Sequence, residues 1–194
     1  MTGLPPDMPV VSERRRTFDE VALPWIEAFV HTVAARWLAM TNLTLALFVG
    51  LPVLSPILEA SDSPVLNMAG QAIFLAYRVT CHQLPGRSFF VAGYQVAWCE
   101  RDVAIWGSLL AAGLLFGVVR RWLQPLDFRL YLLFCVPMAI DGLTQLFGWR
   151  ESTWELRIIT GTIFGLASAW LVLPILERGM SDVRRSLERP RDTV

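Results

Sequence analysis

Residues 103–121 read VAIWGSLLAAGLLFGVVRR, seventeen residues without a charge closed by Arg120 and Arg121. A helix that crosses the hydrocarbon core of a bilayer needs about 20 mostly apolar residues, with roughly 17–25 acceptable. Outward from this stretch lie three blocks of the same kind. Ala39 to Leu58 precedes it, and Phe128 to Gly148 and Ile158 to Leu176 follow, the first of these two containing Asp141. Backbone groups in lipid must be satisfied within the segment, so helices are the expected spanning form. The period-two alternation of a membrane barrel is absent. The expected fold is therefore all-α: a polytopic integral membrane bundle of four transmembrane helices with amphipathic interfacial helices. Composition agrees, with 54% hydrophobic and 18% charged residues. The net charge is zero, which gives no basic field for nucleic acid.

Arginine placement gives the bundle a direction, because cytoplasmic segments of membrane proteins carry the excess of basic residues. All 17 basic residues are arginine. Arg14, Arg15, Arg16, Arg36, Arg120, Arg121, Arg129, Arg178, Arg184, Arg185, Arg189 and Arg191 fall on one side, 12 against five on the other. That side is read as the cytoplasm, with both termini in it. The N-terminus does not read as a secretory signal, since Arg14–Arg16 are followed by Thr17, Asp19 and Glu20. The expected organisation is a cytoplasmic arm (1–38), a four-span domain (39–176) with outer-face polar loops at 59–102 and 149–157, and a cytoplasmic tail (177–194).

Pro64 to Thr80 is apolar enough to raise a fifth span, but that reading erases the arginine bias. It is read instead as an interfacial helix capped by Ser63 with Pro64 at its first position, its stripe of Asn67, Gln71 and Arg78 turned to protein or water. A second amphipathic helix is expected on the cytoplasmic surface, where Val21, Trp25, Phe29, Val33 and Trp37 recur every four residues. His31 lies off that line as a polar-face residue. Residues 1–11 and 184–194 read as mobile tails. Gly113-x-x-x-Gly117 and Gly161-x-x-x-Gly165-x-x-x-Ala169 read as close-packing faces within the bundle, and Cys135 as a small apolar group.

The chemistry-bearing residues fall on the outer side of this topology. Cys81, His82, Cys99 and Asp102 are a donor set suited to zinc or another divalent transition metal. A Cys81–Cys99 disulfide and a pair of free thiols are the other readings of the same cysteines. Asp141, an acid inside an apolar block, is either functional or paired with Arg101 or Arg150. Asp141 and Glu151 are the acid–base candidates. Ser152 and Glu155 fit a capping box opening the fourth span. Arg87, Arg101, Gln145, Arg150 and Arg157 are the candidates for holding an anionic, lipid-like substrate. No phosphate loop, His-Glu-x-x-His, Gly-x-Ser-x-Gly or Cys-x-x-Cys is present, so nucleotide binding, zincin proteolysis and thioredoxin-like exchange lack support.

Cys81-His82-Gln83-x-Pro85-x-Arg87-Ser88, Cys99-x-Arg101, Asp141-Gly142-x-x-Gln145, Arg150-x-Ser152 and Thr160-Gly161 together resemble the bacterial membrane family catalogued as domain of unknown function 2085. The resemblance implies a small polytopic membrane protein and brings no reaction with it. Many members carry a cysteine where Asp102 stands here. Three functions follow from these features. The first is a metal-assisted site at the outer interface. The second is a structural or accessory membrane subunit, held by a Cys81–Cys99 disulfide and salt bridges, that serves a membrane protein partner. The third is a small transporter relaying through Asp141.

Overall fold

The computed structural model describes the backbone of residues 10–188 and the side chains of residues 22–188. Five helices dominate: α1 (Val10–Glu59), α2 (Pro64–Ala76), α3 (Glu100–Val119), α4 (Phe128–Leu146) and α5 (Trp154–Glu188). Between α2 and α3 stands an antiparallel hairpin, β1 (Ser88–Val91) and β2 (Tyr94–Cys99). Three helical stretches, Ala22–Glu59, Glu100–Val119 and Trp154–Glu188, are long and apolar enough to cross a membrane. Helix α4 has 19 residues and is not among them; it carries Arg129, Asp141 and Gln145. The chain forms two compact units. Leu38–Glu177 is one, and the helical flanks up to Trp37 and from Arg178 are the other. Within the flanking unit, His31 faces Glu188 at 3.9 Å, with both side chains half exposed or more.

Helix α1 differs from expectation. The surface helix and the first span are one continuous helix of 50 residues. The physical reason lies in the joint, Ala34-Ala35-Arg36-Trp37-Leu38-Ala39-Met40, which holds neither glycine nor proline and is rich in good helix formers. The stripe is divided as well, because Trp25 and Phe29 are exposed whereas Trp37 is buried; the Val21 side chain lies outside the described residues. The expected tails are also shorter. Val10 and Val11 already belong to α1, and α5 continues through Arg184 to Glu188. Residues 1–9 and 189–194 lie outside the described residues.

Helix α2 begins as the sequence indicates, with Ser63 as N-cap and Pro64 in the first turn, though the Ser63 side chain makes no capping bond. Its 13 residues reach about 20 Å at ~1.5 Å per residue, short of the ~30 Å hydrocarbon core. It packs back on α1. Asn67 Nδ2 donates to the Glu59 carbonyl (2.5 Å), and Ser55 Oγ to the Gly70 carbonyl (3.1 Å). A Cβ at Gly70 would lie 2.7 Å from the Ser55 carbonyl oxygen, so this crossing demands glycine.

Prolines inside the long helices free carbonyls, and the fold uses two of them. Pro52 has no N–H for the Phe48 carbonyl four residues back; the Tyr77 hydroxyl donates to that oxygen instead, at 2.9 Å. Pro174 frees the Trp170 carbonyl, which accepts the Leu126 N–H at 3.4 Å, while Trp170 Nε1 returns a bond to the Gln124 carbonyl. In lipid such groups are tolerated when a neighbour re-satisfies them.

The stretch 59–102, expected to hold one helix among polar loops, thus holds α2 and also the hairpin. Phe89, Phe90, Val91, Tyr94, Val96 and Trp98 are strand formers. The two-residue turn Ala92-Gly93 has positive φ at both positions (52° and 84°), which matches a type I′ turn. Strand β2 is buried at Val96, Ala97 and Trp98. Trp98 packs edge-on against Phe48 and Tyr77 and stacks with Trp106, closing an aromatic core under Cys81. Both small-residue faces are used inside the bundle. Gly161 meets the Arg101 carbonyl and Ala104 of α3, Gly165 meets Ile105 and Ser108, and Gly113 receives Asn42 of α1 through a 3.0 Å bond to its carbonyl.

Candidate functional site

Where α3 and α5 begin and α4 ends, a cavity of about 410 Å³ opens. Two covalently distant segments supply its sulfur. Cys81 follows a 3₁₀ turn (Tyr77–Val79) and is buried, its N–H donating to the Tyr77 carbonyl at 3.1 Å. Cys99 ends β2 and is the N-cap of α3. The segment between is fixed by Gln83, which holds a left-handed backbone (φ 49°) and is 7% exposed. Its amide donates to the Phe74 and Ala97 carbonyls, and its own carbonyl accepts from Gln95. Thr80 accepts the Trp98 indole N–H. A backbone conformation so costly for a side-chain residue persists only where the surroundings over-determine it.

The result is a compact donor set. One ligand atom from each of Cys81, Cys99 and Asp102 lies within 4.8 Å of the other two. The Cys99 backbone N–H donates to Cys81 Sγ at 3.2 Å, and Cys99 Sγ donates to the Asp102 carboxylate at 3.2 Å. The cysteines are unbridged. The Cys99 side chain, more than the backbone bond, holds the Cys81 thiol below its ordinary range, against the opposing effect of burial. The same contact between the two side chains, with burial and the Asp102 charge, pushes the Cys99 thiol up. His82 is exposed at the cavity wall and stands outside this group of three.

The charged candidates divide sharply. Asp141, 2% exposed, is held at both oxygens, one by Arg101 and the other by Arg150 at 2.7 Å. Ion pairing therefore occupies the carboxylate expected to act as acid, base or relay. Arg157 and Glu100 form a second buried pair at 2.8 Å, and Arg157 also donates to the Ser152 carbonyl. Arg101, Gln145 and Arg157 line the cavity, as does Arg87; Arg150 does not. Glu151 is exposed and is not among the lining residues. The capping box is displaced by one residue. Thr153 caps α5 through Leu156 N–H (3.5 Å), while Ser152 is buried and Glu155 exposed.

Four buried polar atoms of the lining residues remain unsatisfied among the described residues: Arg101 Nε, Arg157 Nε, Gln145 Nε2 and Gln83 Oε1. The Arg87 guanidinium likewise has no partner there. Sequence reasoning missed Gln83, Trp98, Glu100 and Thr80. For Trp98 a signal existed, the two aromatic runs flanking Ala92-Gly93. For Glu100 none did, since its partner Arg157 is 57 positions away.

Comparison with known proteins covers this same stretch. Residues 81–171 match the family described as "Predicted membrane protein (DUF2085)", and the match begins at Cys81 and contains every candidate residue above. An uncharacterised protein of Methanocaldococcus jannaschii is 40% identical over 108 residues, covering 53% of this chain and 67% of its own. One from Methanothermobacter thermautotrophicus is 32% identical over 99 residues, covering 51% of this chain and 89% of its own. Both are archaeal, so the expectation of a bacterial family is not supported. No solved structure matches. With an apolar helical architecture and this match, the chain belongs to the DUF2085 family of predicted membrane proteins.

Proposed function

We propose that this membrane protein binds a divalent transition metal of the zinc type through Cys81, Cys99 and Asp102, and presents it to an anionic, lipid-like substrate in the adjoining cavity. The observation that carries the reading is the convergence of these three ligand atoms within 4.8 Å beside that cavity. Three protein ligands leave a fourth position for water, substrate or the neighbouring His82, which is the arrangement of catalytic rather than structural zinc. A metal there would strip both thiol protons and act as a Lewis acid toward an oxygen of the substrate. Arg87, Arg101, Gln145 and Arg157 are the residues that would grip the anion. Asp141 and Arg150 act in this reading as a clasp that fixes Arg101, and Glu151 has no part.

In the bilayer we place four spans, with both termini cytoplasmic and the cavity at the outer face. Helix α4, third in chain order, joins the three longer helices as a span, because Leu130, Leu133, Phe134, Val136, Ile140 and Leu143 are exposed around it. Exposed aromatics bracket it, Trp122 and Phe128 at one end and Phe147 and Trp149 at the other.

The test is metal analysis of protein purified without chelator. Wild type should carry about one ion per chain, and Cys99→Ser and Asp102→Ala should lose it while keeping a cooperative unfolding transition. A folded wild type without metal would overturn the reading. Such a protein with Cys81 bridged to Cys99 would favour the second reading, an accessory subunit held by a disulfide clasp, for which the two buried ion-pair sets speak.

A further inference from the structure

We infer that the cavity continues into an apolar groove on α4, and that the two together form one site for an anionic lipid, headgroup in the cavity and acyl chain in the groove. The inference deepens the proposed function and rests on its anionic ligand, not on its metal.

The cavity asks for negative charge. Arg87, Arg101 and Arg157 bring three guanidinium groups to its wall, and Arg87 makes no ion pair among the described residues. Guanidinium donors suit a ligand rich in acceptor oxygens. The charge balance agrees. Arg157 is neutralised by Glu100, and Asp141 faces two arginines, which leaves one positive charge over. Arg87 adds a second and Asp102, lining the same cavity, takes one away, so the set keeps one net positive charge.

The groove asks for hydrocarbon. It is a shallow, open groove of about 380 Å³ lined by Cys135, Met138, Ala139, Gly142, Leu143 and Phe164. Positions 135, 138, 139 and 142 form one face of α4, and Gln145 and Leu146 extend that face into the cavity. Gly142 is the joint. It lines the groove, and a Cβ there would sit 3.7 Å from Arg101 Nη1, so no side chain separates groove from guanidinium. A free oxyanion satisfies the cavity and leaves the groove without an occupant. A lipid anion satisfies both.

The test uses full-length protein in nanodiscs of phosphatidylcholine doped with phosphatidylglycerol, with bound lipid read by native mass spectrometry after detergent release. Wild type should retain phosphatidylglycerol over phosphatidylcholine. Arg87→Gln and Ala139→Phe should each weaken retention by about tenfold, the loss of one charge-assisted contact or of the chain's path. Ala139 is exposed, so the larger ring is tolerated, and an unchanged unfolding midpoint checks this. Inorganic phosphate should not displace the lipid. Equal retention of the two lipids would overturn the inference, as would phosphate competition with Ala139→Phe unaffected. Metal content measured on the same samples separates the two ideas. A metal-free chain that keeps phosphatidylglycerol contradicts the metal reading alone, and a metal-loaded chain that does not keep it contradicts this inference alone.

Discussion

Contact between the Cys81 and Cys99 side chains moves the two thiols in opposite directions, Cys81 down and Cys99 up, and that asymmetry is measurable. In metal-free protein, Cys81 should react with iodoacetamide at a lower pH than an ordinary thiol, because its thiolate persists further down the pH scale. Cys99 should stay unreactive until strongly alkaline pH. Cys99→Ala removes the largest cause of the Cys81 shift, so the Cys81 rate profile should move to higher pH; an unmoved profile would refute the coupling. The hairpin offers a second residue-scale expectation. Ala92 occupies φ 52°, a region that costs a non-glycine residue roughly 1–2 kcal/mol. Ala92→Gly should therefore raise thermal stability by up to about 1 kcal/mol in a detergent melt, glycine's own chain entropy offsetting part of the gain. At this scale the members of the donor cluster were legible, since Cys81, Cys99 and Asp102 stand out by residue type. The pairing of Asp141 with Arg101 or Arg150 was legible too, but not that it takes both at once, which depends on how α3 and α4 meet. The Glu100–Arg157 pair was not, its members lying 57 positions apart.

Among the elements, the prolines of the long helices are where local rule and tertiary structure meet. Tyr77 lends its hydroxyl to the carbonyl that Pro52 leaves open. Tyr77→Phe should cost about 1 kcal/mol. In a Pro52→Ala background the same change should cost less, because the restored N–H already engages Phe48. A double-mutant cycle on unfolding in detergent measures that coupling, and strict additivity would count against it. Helix existence was legible from apolar blocks, and the start of α2 from Ser63-Pro64. Boundaries were less so. The joint at Arg36–Ala39 carries no breaker, so amphipathic and apolar stretches merge into α1. Thr153 takes the cap that the Ser152 and Glu155 pattern promised to its neighbour, because Ser152 is buried under Arg157. The hairpin was hidden by polar neighbours and by an Ala-Gly turn in place of the stronger Asn-Gly signal.

For the whole molecule, the proposed direction rests on the arginine bias, which α2, too short to span, leaves unreversed. Alkaline phosphatase fused after residue 150 should be active, and fused after residue 122 inactive, with green fluorescent protein fusions giving the opposite pattern. The reverse result would place the cavity on the cytoplasmic side. The whole-chain features readable in sequence were those set by hydropathy and charge. The joining of cavity and groove along α4 depends on Gly142 facing Arg101, which only the packed structure reveals. If Cys81, Cys99 and Asp102 hold zinc, X-ray absorption at the zinc edge of the purified protein should show two sulfur neighbours at about 2.3 Å and two lighter ones near about 2.0–2.1 Å, with one sulfur lost in Cys99→Ser. A shell of oxygen and nitrogen alone, unchanged by that substitution, would contradict zinc binding there.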